Sequence, residues 1–318
     1  MEGFGTIFPA TNLSVTFKKN VGNYAFHNCT RLTSVTISEG VTSIGNSAFS
    51  GCTGLTSITI PESVTTISGY AFSGCTGLTG ITIPEGVTTI SESAFSGCTG
   101  LTGITIPESV TTIGVAAFAH CTGLTSITIP EGVTSIGHAA FYGCTSLRNI
   151  IIYTYWNNTM EGFGTIFPAT NLSVTFKKNV GNYAFHNCTR LVSVTISEGV
   201  TVIGIGAFSG CTGLTNITIP AGVTSIGDSA FNGCTRLTNI TIPEGVATIG
   251  ESAFSNCTGL TNITIPESVT TIATNAFSGW TASQTINIQG KADQSAADNA
   301  WGESWLYGCS AKINYSGQ

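Results

Sequence analysis

A mostly-β repeat solenoid of the α/β type is the fold this sequence predicts. It is right-handed, with one parallel sheet on one side and short strands or 3₁₀ turns opposite. Three observations carry that prediction. Cysteines fall at 29, 52, 75, 98, 121 and 144, then at 188, 211, 234 and 257, each 23 residues after the last within its run. An L-x-x-I-x-I stretch recurs with the same period, and apolar residues alternating in a β-branched run are a strand signal. The composition excludes the rival classes, with 42% hydrophobic residues against 8% charged and with 39 glycines. Such a chain is too apolar to stay disordered and too poor in charge for a coiled coil.

Each element of the unit has a physical reading, taken here from Cys52. Leu55, Ile58 and Ile60 form the inward set of a short strand. Pro61 stands where the strand stops donating ladder hydrogen bonds and turns. Val64 and Ile67 re-enter the core on the opposite side, and Ala71-Phe72 place a large aromatic under a short helical or 3₁₀ turn. Gly74 and Gly77 flank Cys75, where the backbone is tight. No single coil can bury its own apolar face, so the coils stack, with their strands paired in parallel about 4.8 Å apart.

A larger duplication overlies the short period. Residues 1–32 are identical to residues 160–191, an offset of 159 in a chain of 318. The organisation expected is one continuous solenoid over 1–290, about 13 coils by repeat counting, with halves 1–159 and 160–318 and irregular coils at 1–28 and 150–187. The stretch 150–158 is too apolar for a linker. Residues 291–318 depart from the period, and Trp301, Trp305, Leu306 and Tyr307 are expected to cap the last coil. The opening Met1-Glu2-Gly3-Phe4 has no basic or long apolar segment, which reads as a cytoplasmic chain, a mature form or a fragment.

Charge and motifs then exclude most chemistry. A net charge of −6 gives no basic face for nucleic acid. No apolar run reaches the 18 or so residues of a membrane span, so no membrane insertion is expected. The periodic cysteines would sit side by side with parallel Cβ vectors, a poor disulfide geometry, and no C-x-x-C pair suggests zinc. A column of buried free thiols is expected instead. Glu39, Glu62, Glu85, Glu108 and Glu131, continued by Glu198, Glu244 and Glu267, form a second column. It reads as a solvated acidic edge, with calcium as the alternative. The histidines form no cluster, and no nucleophile, phosphate-binding or metallohydrolase motif is present. The expectation is a non-enzyme with no cofactor and no metal.

What remains is the surface of the sheet. In L-x-x-I-x-I the residues between the apolar ones face outward. The candidate ligand-binding face is therefore Ser57, Thr59, Thr82, Thr105, Ser126 and Thr128 in the first half, and Asn216, Thr218, Asn239, Thr241, Asn262 and Thr264 in the second. Gly80 and Gly103 take the serine position of their coils. Such a face suits an extended protein or glycan bound through many weak hydrogen bonds of about 1 kcal/mol each. Threonine also simply suits an exposed strand, and that alternative stays open. A candidate aromatic hot spot is Tyr153, Tyr155 and Trp156. Two further alternatives are a structural spacer or self-associating scaffold, and ice binding by the threonine ladder.

The pattern C-T-x-L-T-x-I-T-I-P-E-x-V-x-x-I-x-x-x-A-F recurs in Cys52–Phe72, Cys75–Phe95, Cys98–Phe118, Cys121–Phe141 and Cys234–Phe254. With it, the chain resembles the BspA-like leucine-rich-repeat proteins over nearly its whole length. The ending, Trp305-Leu306-Tyr307-Gly308-Cys309, is similar to that family's terminal segment. The resemblance implies a bacterial cell-surface or secreted protein whose repeats bind an extracellular protein or glycan rather than catalyse a reaction.

Overall fold

In each coil the chain runs through a short strand, a proline-led turn, a two-residue strand and a tight turn under phenylalanine. The structure, a computed structural model, describes residues 13–154 and 171–317. They divide into two units, the first over 13–150 and the second over 151–154 and 171–317. Each is a mostly-β solenoid of parallel strands with little helix.

The coil from Cys52 shows how the sequence sets the path. Ser57–Thr59 is a strand with Ile58 inward and its neighbours exposed. The Pro61 carbonyl accepts from the Val64 N–H at 3.0 Å, so the proline that ends the strand also starts the turn. Thr66–Ile67 is the opposing strand, pairing in parallel with Ser43–Ile44 one coil back. The turn that follows is built from two alternating sets of bonds. The amides of Ala71, Ser73 and Cys75 donate to carbonyls three residues back, in the 3₁₀ manner. Those of Tyr70, Phe72 and Gly74 donate to the next coil, to Glu92, Ala94 and Ser96. Alternation of this kind needs left-handed backbone at Tyr70 (φ 59°) and Gly74 (φ 73°), and glycine meets that need without strain.

In the first unit the strands Leu13–Phe17, Leu32–Ile37 and Ser57–Thr59 form one parallel sheet. On the other side of the coils Ser43–Ile44 pairs with Thr66–Ile67, and further along Thr89–Ile90, Thr112–Ile113 and Ser135–Ile136 pair in register at every 23rd residue. In the second unit Leu172–Phe176, Leu191–Ile196 and Asn216–Thr218 are parallel neighbours. So are Asn262–Ile265, Thr285–Gln289 and Lys312–Ser316. The main sheet is not uniform along its length. At Thr82 and Thr105 the pairing thins to a single bridge, as it does at Asn216 and Asn239. Glycine in a strand weakens it, and Gly80 and Gly103 precede the first of these gaps.

Two columns fill the core. Phe49, Phe72, Phe95, Phe118 and Phe141 stack with centroids 5.4–5.5 Å apart and rings within 7° of parallel. Each is fully buried and contributes roughly 1.5–3 kcal/mol by that burial. Phe208, Phe231, Phe254 and Phe277 repeat the stack in the second unit. Beside them runs the thiol column. All eleven cysteines are free, and ten are buried. Cys52 Sγ donates to the Phe26 carbonyl at 3.0 Å, and Cys75, Cys98, Cys121 and Cys144 repeat that bond 26 residues back at 3.0–3.1 Å.

At the C-terminal end the helix Gln294–Trp301 begins where Asp293 accepts from the Ala296 N–H at 2.9 Å. Trp301 and Trp305 are buried, their rings edge-on at 5.2 Å. Trp305 meets Phe277 edge-on at 6.3 Å, after which Lys312–Ser316 adds the last strand.

Candidate binding face

The strand Ser57–Thr59 sends Ile58 inward and its two neighbours out, and the 23-residue register repeats that choice in each coil. All twelve face residues predicted from the sequence are exposed: Ser57, Thr59, Thr82, Thr105, Ser126 and Thr128 in the first unit, and Asn216, Thr218, Asn239, Thr241, Asn262 and Thr264 in the second.

Hydrogen bonding separates this face from a second threonine column beside it. Thr56, Thr102 and Thr125 turn their hydroxyls to the preceding coil, to the carbonyls of Thr33, Thr79 and Thr102 at 3.1–3.5 Å. Thr215 and Thr238 do the same in the second unit. That column fastens coils together, whereas the outer hydroxyls project from the sheet. In the second unit the Asn216 amide donates to Thr215 Oγ1 at 3.1 Å, and Asn262 repeats the contact with Thr261 at 3.2 Å. One N–H of each carboxamide is thereby held along the sheet, which orients its oxygen and second N–H for a partner.

Glycine shapes the face of the first unit. A groove of ≈ 530 Å³ lies over Gly80 and Gly103, lined also by Ile58, Ile81, Ile104, Ile127, Thr82, Thr105, Ser126 and Thr128. Ile104 is half-buried, while Ile58, Ile81 and Ile127 of the same row are buried. The hydroxyl count along the sheet does not reveal this opening. The signal for it was the replacement of serine by glycine at one register position in two consecutive coils. A smaller groove of ≈ 180 Å³ lies over Asn216, Thr218, Asn239 and Thr241.

The remaining candidates divide. Tyr153 is 39% exposed, while Tyr155 and Trp156 lie outside the described residues. The glutamate edge is exposed, and the Glu85 N–H donates to Glu62 Oε2 at 3.2 Å, which eases the stacking of like charges. Among the described residues no three His, Cys, Asp or Glu side chains come together as a metal site. Burial pushes the Cys75 and Cys234 thiols up to about 12, which removes their nucleophilic form at neutral pH. Among the described residues no helix is long and apolar enough to cross a membrane.

Several solved structures are similar to this chain. A leucine-rich repeat protein of Bacteroides ovatus is 23% identical, over 96% of this chain and 92% of that one, with a TM-score of 0.42. A leucine rich cell surface protein of Faecalibacterium prausnitzii is 29% identical, over 93% and 92%, also with a TM-score of 0.42. A pneumococcal vaccine antigen is 17% identical, over 96% and 89%, with a TM-score of 0.41. No curated protein matches the chain. The BspA type leucine rich repeat region, in six copies, matches residues 19–148 and 178–301. Since those two stretches make up most of its length, the chain belongs to the BspA type leucine-rich-repeat family.

Proposed function

We propose that this chain is a non-enzymatic protein-binding module of a cell-surface leucine-rich-repeat protein, and that the ligand lies on the strand face. One observation carries the reading. Of two adjacent hydroxyl-rich columns, both at the surface, one bonds to the backbone of the preceding coil and the other projects from the sheet along the stack. An exposed row of short polar groups on a rigid sheet presents many contacts at little entropic cost, which is how repeat proteins build extended binding surfaces. Membership of a family whose known members are mostly bacterial surface proteins supports the location.

The test is binding of the purified chain to a panel of extracellular-matrix proteins and glycans. The control is a Thr218→Lys/Thr241→Lys variant, in which both changed positions are exposed. A hit lost in the variant supports recognition by the strand face. Silence across the panel, or a hit the variant keeps, removes the proposal.

A further inference from the structure

Leu13–Phe17 and Leu172–Phe176 have one sequence and two environments. Both lie inside the duplicated stretch, 1–32 and 160–191. Both pair in parallel with the strand that follows and in the same register, Phe17 with Ile37 and Phe176 with Ile196. Phe17 meets Phe26 edge-on at 5.4 Å, and Phe176 meets Phe185 edge-on at 5.8 Å. Burial separates the two strands. Val174 and Phe176 are buried, whereas Val15 and Phe17 are only half-buried.

The difference lies on the leading edge. In the second unit Ile151–Ile152 runs beside Leu172–Phe176, and the Lys177 N–H donates to the Ile152 carbonyl at 2.8 Å. In the first unit Leu13–Phe17 is the outermost strand of its sheet among the described residues. Ile151 and Ile152 lie ahead of residue 160, where the duplicated stretch resumes, so residues 1–32 repeat the edge and not its filler. The second unit therefore shows what this edge accepts. It is a parallel strand with a buried isoleucine, whose carbonyl takes the amide after the phenylalanine.

A strand of that kind stands open in the second unit. Lys312–Ser316 is the outermost strand of its own sheet among the described residues, and like Leu13–Phe17 it has five residues. It pairs in parallel with Thr285–Gln289, Ile313 on Ile286 and Tyr315 on Ile288. Ile286 and Ile288 are buried, but Ile313 and Tyr315, in the same inward rows, are half-buried. The Tyr315 hydroxyl donates to Gln294 Oε1, so covering the ring would leave its polar end satisfied. Neither strand has a proline or a charge in an inward row, two devices that protect sheet edges from pairing.

We propose that the chain associates head to tail, with Lys312–Ser316 of one copy adding in parallel to Leu13–Phe17 of the next. Matching the inward rows sets Ile313 on Val15 and Tyr315 on Phe17. The Lys18 N–H then donates to the Tyr315 carbonyl, as Lys177 does to that of Ile152. The contact is heterologous, so each added copy leaves one edge free and growth continues past the dimer.

Sedimentation velocity of the full chain, from low to high micromolar concentration, should show a mass that rises past the dimer. Val15→Lys blocks the leading edge and Tyr315→Lys the trailing one, and each variant alone should stay monomeric. Mixed together they should form a dimer and nothing larger, because each keeps one working edge. In the wild-type chain, hydrogen exchange at the Lys18 amide should slow about tenfold or more as assembly proceeds. A wild-type chain that stays monomeric overturns the inference, and so does assembly that persists in either variant. A mixture that stays monomeric while both variants melt like wild type overturns the pairing of these two edges. If either variant melts early, the Lys18 amide decides, and unchanged exchange in the assembled wild type overturns the assignment. Thr218→Lys/Thr241→Lys should assemble like wild type, so this proposal and the strand-face reading fail separately.

Discussion

The indole Nε1 of Trp280 donates to the carbonyl of Phe254 at 2.9 Å. Eight thiols make the same bond to the phenylalanine one coil back, as Cys257 Sγ does to the Phe231 carbonyl at 3.1 Å. Both carbonyls also accept a backbone N–H, from Cys257 and Cys234 respectively, so the side chain adds a second bond to an acceptor already in use. Trp280 thus continues the thiol column in a larger form and sets its ring edge-on to Phe277 at 5.4 Å.

Trp280→Phe should remove that donor and part of the buried volume. The expected loss is about 2–4 kcal/mol, dominated by the unfilled space, because the carbonyl keeps its backbone partner. Urea denaturation measures it, and a midpoint equal to wild type would show that the last coil does not depend on this contact.

The thiols should react in two classes. Cys309 is the one cysteine that is partly exposed, and the other ten are buried. An aromatic disulfide reagent added to native protein at pH 8 should release about one equivalent, slowly, since burial also raises the Cys309 thiol above its ordinary range. In denaturant all eleven should react. Rapid release of several equivalents from native protein would contradict the buried column.

Stability should fall on the alkaline side. Burial pushes the Cys188 thiol up to about 11 and those of Cys75 and Cys234 up to about 12, whereas a thiol in the unfolded chain ionises near 8.5. Above that value the unfolded state gives up protons that the native state keeps. The stability is therefore complete below about pH 8.5 and is lost as the pH climbs towards the folded values. Each such thiol should cost about 1.4 kcal/mol per pH unit in that window. Urea midpoints measured in reductant from pH 7 to 11 should be level and then descend. Cys75→Ala/Cys234→Ala should make the descent shallower.

A pair of glycine substitutions separates architecture from surface. Gly100→Ala places a methyl 2.6 Å from the Thr76 carbonyl oxygen, whereas Gly80→Ala places one in open space. The first should destabilise by about 1–3 kcal/mol through backbone displacement. The second should stay within about 0.5 kcal/mol of wild type, as surface changes usually do. Equal effects in thermal unfolding would falsify that division of the glycines.

Much of this molecule was legible in its sequence, because a period of 23 leaves few choices. Leu55, Ile58, Ile60, Val64, Ile67 and Phe72 are all buried where alternation and stacking put them. The outward position of Thr59 and Thr218 follows from the same alternation. The thinning of the sheet at Thr82 and Thr105 was not legible, since L-x-x-I-x-I is unbroken there. Backbone pairing is a relation between coils, whereas the motif describes one coil at a time. The groove left one sequence signal, glycine at the serine position of two consecutive coils, but the letter alone does not say what a glycine faces. Gly80 and Gly77 are the same letter three residues apart, yet one faces a carbonyl and the other faces open space. Only the positions of neighbouring coils tell them apart.

The alternating turn bonds, with Tyr70, Phe72 and Gly74 each donating to the coil ahead, have a mechanical consequence. Because each coil is tied only to the coils beside it, a pull on the two chain ends loads the outermost coil first and reaches the next when that one lets go. Force spectroscopy would register this as an even sawtooth. Each tooth would lengthen the chain by roughly 80 Å, the extended contour of one 23-residue repeat, so the chain would extend under load by shedding turns one at a time while the coils not yet reached stayed folded.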